Sequence, residues 1–143
     1  MPFLVRYPEE IKGGSVNGDI VTNLDFAETF LDYAGIPVPK DMQGRSFRSI
    51  LRGKSPSDWR TGMYYHYYEY PGAHSVKRHY GLRTRQYKLI HFYNDIDAWE
   101  LYDLGRDPHE LNNVIDHSRY ANIVKTLKNE LLRLKNGYGD ETQ

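Results

Sequence analysis

A chain of 143 residues has room for one ordinary domain, and 39% hydrophobic with 27% charged residues is a folded rather than a disordered composition. Nineteen basic and nineteen acidic residues cancel, which leaves no bulk field to draw in a phosphate backbone and argues against nucleic acid as a partner. The absence of cysteine excludes disulfides, thiolate metal sites and a cysteine nucleophile on this chain, and no apolar run approaches the roughly 20 residues that cross a bilayer.

Phe3-Leu4-Val5, stopped by Pro8, reads as a buried strand. A start inside a strand rather than a polar linker reads as a truncation, and no signal peptide is visible. A helix follows from Thr22, with Thr22 as N-cap and Asp25 three residues on. Phe26, Ala27, Phe30, Leu31 and Ala34 form an apolar stripe at helical spacing. Gly35 ends that helix, and Pro37 and Pro39 forbid its continuation. A shorter helix is expected over 47–51, closed by Gly53.

The composition changes near Ser57. Thirteen tyrosines are the chain's unusual feature, and several crowd the run 63–70, which is dense in strand formers. After a loop at Pro71-Gly72, strands are expected over 79–84, 87–93 and 99–104. Short connections between four strands predict an antiparallel meander. Asp107-Pro108-His109-Glu110 has the form of a helix start. Ser118 opens a last helix on which Ile123, Leu127, Leu131 and Leu134 share a face. That stripe should lie on the sheet, giving a two-layer α+β unit.

In the same order, these segments resemble the sulfatases of the alkaline-phosphatase superfamily. Met1-Pro2-Phe3-Leu4-Val5-Arg6-Tyr7-Pro8 is similar to the strand that follows their catalytic half. Ala34-Gly35-Ile36-Pro37 and Gln43-Gly44-Arg45-Ser46 resemble the next helix end and the Gly-Arg-Ser step. Gly81-Leu82-Arg83-Thr84 with Tyr87-Lys88-Leu89-Ile90 resembles a strand pair. Glu100-Leu101-Tyr102-Asp103-Leu104 through Asp107-Pro108, Glu110 and Asn113 resembles the family's late landmark.

The resemblance implies an α/β fragment followed by α+β. Residues 1–56 would be the terminal strand and helices of the large sulfatase domain. Residues 57–143 would be the C-terminal subdomain, a four-stranded antiparallel sheet packed by a C-terminal helix. It also implies a formylglycine nucleophile, made within a Cys/Ser-x-Pro-x-Arg motif, and calcium. No position here fits that motif, and Ser55-Pro56 has the wrong spacing. Sulfate ester cleavage needs a strong nucleophile and a cation to offset oxyanion charge. The chain alone is therefore expected to be inactive, with an N-terminal catalytic domain as its partner and a sulfated carbohydrate as substrate. A periplasmic or extracellular location follows from the resemblance only.

Family members acting on sulfated sugars use loops of the small sheet to wall the pocket. The stretch 70–79 resembles one such loop, most closely in glycosaminoglycan-type enzymes that include those acting on 6-sulfated glucosamine. The resemblance assigns substrate contact to His74, with Arg78 and His79 beside it, arginine because its planar fork suits oxyanions. Two rival readings are a phosphonate or phosphodiester hydrolase on the same scaffold and a non-catalytic sugar-binding module.

Plainer readings stand beside these. His74 can be an ordinary surface histidine, and His79 a structural one at a strand start. His66 and His91 lie within strands, where a satisfied half-buried ring is expected, and Arg83 either contacts sulfate or, the reading slightly favoured, pairs with an acidic residue on the sheet surface. Sheet packing explains most of the tyrosine run. Asn94-Asp95-Ile96-Asp97 is a hairpin turn and not a calcium loop, since the later Glu and central Gly of an EF-hand are absent. Asp103 and Asp107 read as caps. Lys125, Lys128, Arg133 and Lys135 read as a solvated helix face.

Overall fold

The computed structural model describes residues 3–142, so Met1 and Pro2 of the expected first strand lie outside the described residues. The chain divides into two compact units after Thr61.

The first unit holds α1 (Asp25–Ala34) and α2 (Arg48–Leu51). The expected strand at 3–5 does not form: the segment is unpaired and exposed, because among the described residues of this unit no strand is present to complete its hydrogen bonds. The cap of α1 also differs from expectation. Leu24 is the N-cap and contributes no side-chain bond. Only half of the expected capping box is made: the Asp25 carboxylate accepts from the Thr22 amide at 2.7 Å and from its hydroxyl at 3.0 Å. The helix ends as expected, with Gly35 left-handed at φ 69° and the amides of Gly35 and Ile36 donating to the carbonyls of Asp32 and Leu31.

The buried face of α1 is polar. Asp25, Glu28 and Thr29 are buried, whereas Phe30 of the apolar stripe is 67% exposed. Of that stripe, Phe26 packs against this unit's core of Phe47, Ile50 and Trp59, with Val21 and Leu51 beside it, whereas Ala27, Phe30 and Ala34 are exposed. The polar face serves the backbone of the Gly-Arg-Ser step. Glu28 accepts from the Gly44 amide at 2.7 Å, Asp25 from the Arg45 amide at 2.9 Å, and Thr29 from the Phe47 amide at 3.0 Å. Backbone donors partly withdrawn from water need partners, and three side chains from two turns of α1 supply them.

The second unit holds β1 (Gly62–Tyr67), β2 (His79–Thr84), β3 (Tyr87–Phe92), β4 (Ala98–Asp103) and α3 (Ala121–Gly137), the last led by a 3-10 turn at Ser118–Tyr120. The sheet is an antiparallel meander of order β1-β2-β3-β4, as the short connections predict. Strand β1 stops at Tyr67 rather than running to 70, where the chain leaves for the 68–78 loop. Register places Tyr80 opposite His91 and His91 opposite Trp99, so these share one face with Leu82, Leu89 and Leu101. That face carries α3. Leu82, Leu89, Leu101 and Leu131 are fully buried there, with Tyr93, Tyr120 and Leu127 completing the core.

No helix begins at Asp107. The segment forms turns, with Glu110 at φ 55°, because the Asp107 carboxylate accepts from the Asn112 amide at 2.7 Å and closes the turn locally. Asn113 then holds the edge of β4, accepting from the Leu101 amide at 2.9 Å, while the Val114 amide donates to Leu101. Glu110 receives Lys88 at 2.5 Å and Arg83 at 3.3 Å, the acidic partner expected for Arg83.

Candidate functional site

The loop between β1 and β2 carries the three residues singled out from sequence, all within the second unit. Its two ends are built differently. At the β2 end, His79 is the first strand residue and points to the sheet face opposite α3. Its ring stacks on Tyr67, with centroids 5.4 Å apart and planes at 24°, and lies edge-on to Tyr65. The His79 Nδ1–H donates to the Lys77 carbonyl at 2.8 Å, which leaves Nε2 as the acceptor of the neutral ring.

Arg78 is tied down through one nitrogen. Its Nε donates to the Tyr68 carbonyl at 3.2 Å, and its own carbonyl accepts from the Tyr93 amide at 3.3 Å. A guanidinium held at Nε keeps its two terminal nitrogens in fixed relation, the form that binds two oxygens of one anion. His74 lies on the exposed part of the loop. His79 thus faces away from α3, whereas Arg78, next to it in sequence, adjoins Tyr93 of the α3-side core, and His74 is exposed within the loop.

Sequence reasoning passed over Lys77. Its ammonium sits 3.9 Å from the Tyr70 ring centroid and donates to the Tyr70 hydroxyl. Lysine beside a tyrosine-rich run was the available signal. With His74, Arg78 and His79, Lys77 gives the loop four cationic or potentially cationic groups, against Glu69. Such a local field favours an anionic ligand although the chain's net charge is zero. On the sheet face that His79 shares, the Tyr65 and Tyr67 hydroxyls are buried without a hydrogen-bond partner among the described residues. Burial pushes the Tyr65 phenol pKa up, so it remains a neutral donor.

A second polar cluster lies on the α3 side. The His66 Nδ1–H donates to Asp140 Oδ2 at 2.6 Å, and Nε2 accepts from the Tyr93 hydroxyl at 2.6 Å. The Tyr64 hydroxyl also donates to Asp140. Burial opposes ionisation of Asp140, but hydrogen bonds from Thr142, Tyr64 and His66 together hold its carboxyl well below the usual range. This is the satisfied buried ring expected of His66. His91 is likewise satisfied, between the Tyr80 hydroxyl at 2.8 Å and Asp97 at 2.9 Å.

Calcium and formylglycine do not fit the residues present. Among the described residues no group of three or more His, Cys, Asp or Glu could hold a metal ion. Asn94 and Asp97 sit at positive φ in the hairpin, where Asp97 is engaged by His91. No helix of the described residues is long and apolar enough to cross a membrane.

Residues 1–137 match the family described as N-sulphoglucosamine sulphohydrolase, C-terminal. An N-acetylglucosamine-6-O-sulfatase of Bacteroides thetaiotaomicron is 54% identical over 142 residues, which are 98% of this chain and 25% of that protein. A solved structure of a protein in complex with its substrate D-glucosamine-2-N,6-O-disulfate has a TM-score of 0.92 at 54% identity, over 95% of this chain and 28% of that one. The phosphonate monoester hydrolase of Agrobacterium radiobacter has a TM-score of 0.64 at 25% identity, over 79% of this chain and 24% of its own. The chain thus spans about a quarter of the length of these relatives.

Proposed function

The chain belongs to the N-sulphoglucosamine sulphohydrolase C-terminal family, and from that premise we propose that it forms the substrate-facing C-terminal part of a sulfuric ester hydrolase acting on a sulfated amino sugar. The observation that carries this reading is Arg78: a guanidinium fixed through Nε to the Tyr68 carbonyl, at the root of a loop with Lys77, His74 and His79. Its terminal N–H groups suit a tetrahedral sulfate or a carboxylate on the sugar.

On this reading, formylglycine and calcium belong to the N-terminal catalytic part, outside these residues, and the chain contributes binding and orientation. Holding the sugar in one pose lowers the barrier by removing orientational freedom before the reaction. The enzyme would work in the periplasm or outside the cell. Likeness to the phosphonate hydrolase is weaker in both identity and TM-score than likeness to the protein solved with D-glucosamine-2-N,6-O-disulfate, which supports sulfate as the group removed.

The test is sulfate release from glucosamine 6-sulfate by the full-length enzyme, with His74→Ala and Arg78→Gln compared with wild type. Both variants should lower kcat/KM while leaving thermal unfolding unchanged. Full activity in both, or a preference for phosphonate esters, would remove the reading.

A further inference from the structure

On the α3 side of the sheet a cleft of about 260 Å³ opens between strand residues Tyr80 and Trp99 and helix residues Lys128, Leu131, Leu132 and Lys135. The plain expectation for Lys128 and Lys135 was a solvated helix face, and the structure departs from it. The Lys128 ammonium lies 3.8 Å from the Trp99 ring centroid, and the Lys135 ammonium 4.8 Å from that of Tyr80. Lys135 also donates to the Thr142 carbonyl. Trp99 is stacked on the His91 ring, with centroids 4.1 Å apart and planes at 11°, which fixes the indole in place. Leu132 at the lip is 57% exposed, and no carboxylate lines the cleft.

We propose that this cleft binds an anionic oligosaccharide, a sulfated one on the substrate reading above, on which the ligand's identity rests. Three features point to that occupant. The walls are aromatic and aliphatic, which suits the C–H faces of sugar rings, and the polar lining is donor-rich: two ammonium groups and the Asn129 amide. Both cations rest on rings rather than on carboxylates, so an arriving sulfate oxygen finds the charges without first breaking an ion pair. Lys128 and Lys135 are seven residues apart on α3, about 10.5 Å along its axis. One sulfate group cannot bridge that span, so the site selects a ligand carrying successive anionic groups. The cleft opens on the sheet face opposite His79, so one chain could hold a saccharide there while the loop at 68–79 remains free.

The experiment is a fluorescence titration of the whole 143-residue chain with a fully sulfated glucosamine-containing tetrasaccharide. Its unsulfated counterpart and inorganic polyphosphate serve as controls. Trp99 and Trp59 are the two tryptophans, so Trp99→Phe identifies which ring reports. The sulfated ligand should change the Trp99 signal and bind at least tenfold more tightly than the unsulfated one. Lys128→Gln with Lys135→Gln should weaken binding at least tenfold, whereas Lys125→Gln, at an exposed α3 lysine outside the cleft lining, should leave it unchanged. Equal affinity in the double lysine variant, absence of binding, or equal affinity for polyphosphate would each overturn the proposal. Because the readout is binding and not turnover, failure of sulfate release in the full-length enzyme would remove the functional reading and leave this result standing.

Discussion

Glu28 occupies the space that a side chain at position 44 would need. A Cβ built on Gly44 would come to 2.5 Å from both Glu28 carboxylate oxygens and closer still to the Leu24 carbonyl oxygen. The Glu28 side chain could give a little, but the Leu24 carbonyl is helix backbone and cannot. The glycine of the Gly-Arg-Ser step is therefore required by close approach to α1. Gly44→Ala should destabilise the chain by roughly 1–3 kcal/mol, the usual cost of overpacking. Denaturant unfolding followed by Trp59 fluorescence checks this, and an unchanged midpoint would contradict it.

Asp25 is the hub of the first unit. Burial pushes its pKa up, but the Arg60 guanidinium and the amides of Thr22 and Arg45 outweigh that and hold it below the ordinary value. A depressed folded pKa stabilises at pH above the unfolded value of about 3.9, and that contribution is lost as pH falls through the folded pKa. Acid should therefore loosen this unit below about pH 4. Arg60→Met leaves a fully buried carboxylate without its cation and should cost about 3–5 kcal/mol at pH 7. The same substitution should cost much less at acid pH, where Asp25 is protonated in both proteins. Equal cost at both values would show that Arg60 acts through packing alone.

The contrast between the two units shows what the sequence made legible. In the second unit, alternation along 79–84 and 87–92 agrees with the two faces of a real sheet, and the Ile123, Leu127, Leu131, Leu134 stripe meets its core. Period and burial coincide because sheet and helix complete each other within the unit. In the first, the apolar stripe of α1 and the Phe3-Leu4-Val5 run carry the marks of burial, yet Phe30 and Leu4 are exposed. The residues that α1 does bury are two carboxylates and a threonine, which pattern reading assigns to solvent. Their role depends on backbone amides 16 to 20 residues away, and no local signal records that. At the site, the resemblance could mark Arg78 but not the Tyr68 carbonyl that orients it. Likewise, nothing near Asp140 in sequence pointed to His66, 74 residues distant.

That last contact makes its own prediction. Asp140 follows the end of α3 and ties it to β1 through Tyr64 and His66, and through His66 to Tyr93 just past β3. Asp140→Asn removes the charge while keeping the shape, and should cost roughly 1.5–3 kcal/mol, the range for hydrogen bonds to a charged group. The Asp140 pKa is depressed when folded, so the loss should be full above about pH 4 and shrink below it. Thermal midpoints of both proteins across that range would reveal it. A pH-independent difference would mean that the carboxylate's charge contributes nothing.

Arg78 offers the sharpest separation of a binding role from a structural one. One nitrogen, Nε, reaches the Tyr68 carbonyl, and the Tyr93 bond is made by the Arg78 backbone, which any residue keeps. Arg78→Lys preserves the charge but removes both the Nε anchor and the paired terminal donors, so a fork that could hold two oxygens becomes a single mobile ammonium. If Arg78 meets sulfate as proposed, this conservative change should lower kcat/KM of the full-length enzyme about tenfold or more, since each 1.4 kcal/mol of lost interaction is a factor of ten. The thermal midpoint should move little, because the side chain makes its one hydrogen bond at an exposed position. Raised sulfated-sugar concentration should recover part of the rate if the loss lies in binding. A lysine variant with wild-type kcat/KM would show that charge alone suffices there, and a variant that melts early would assign Arg78 to holding the loop.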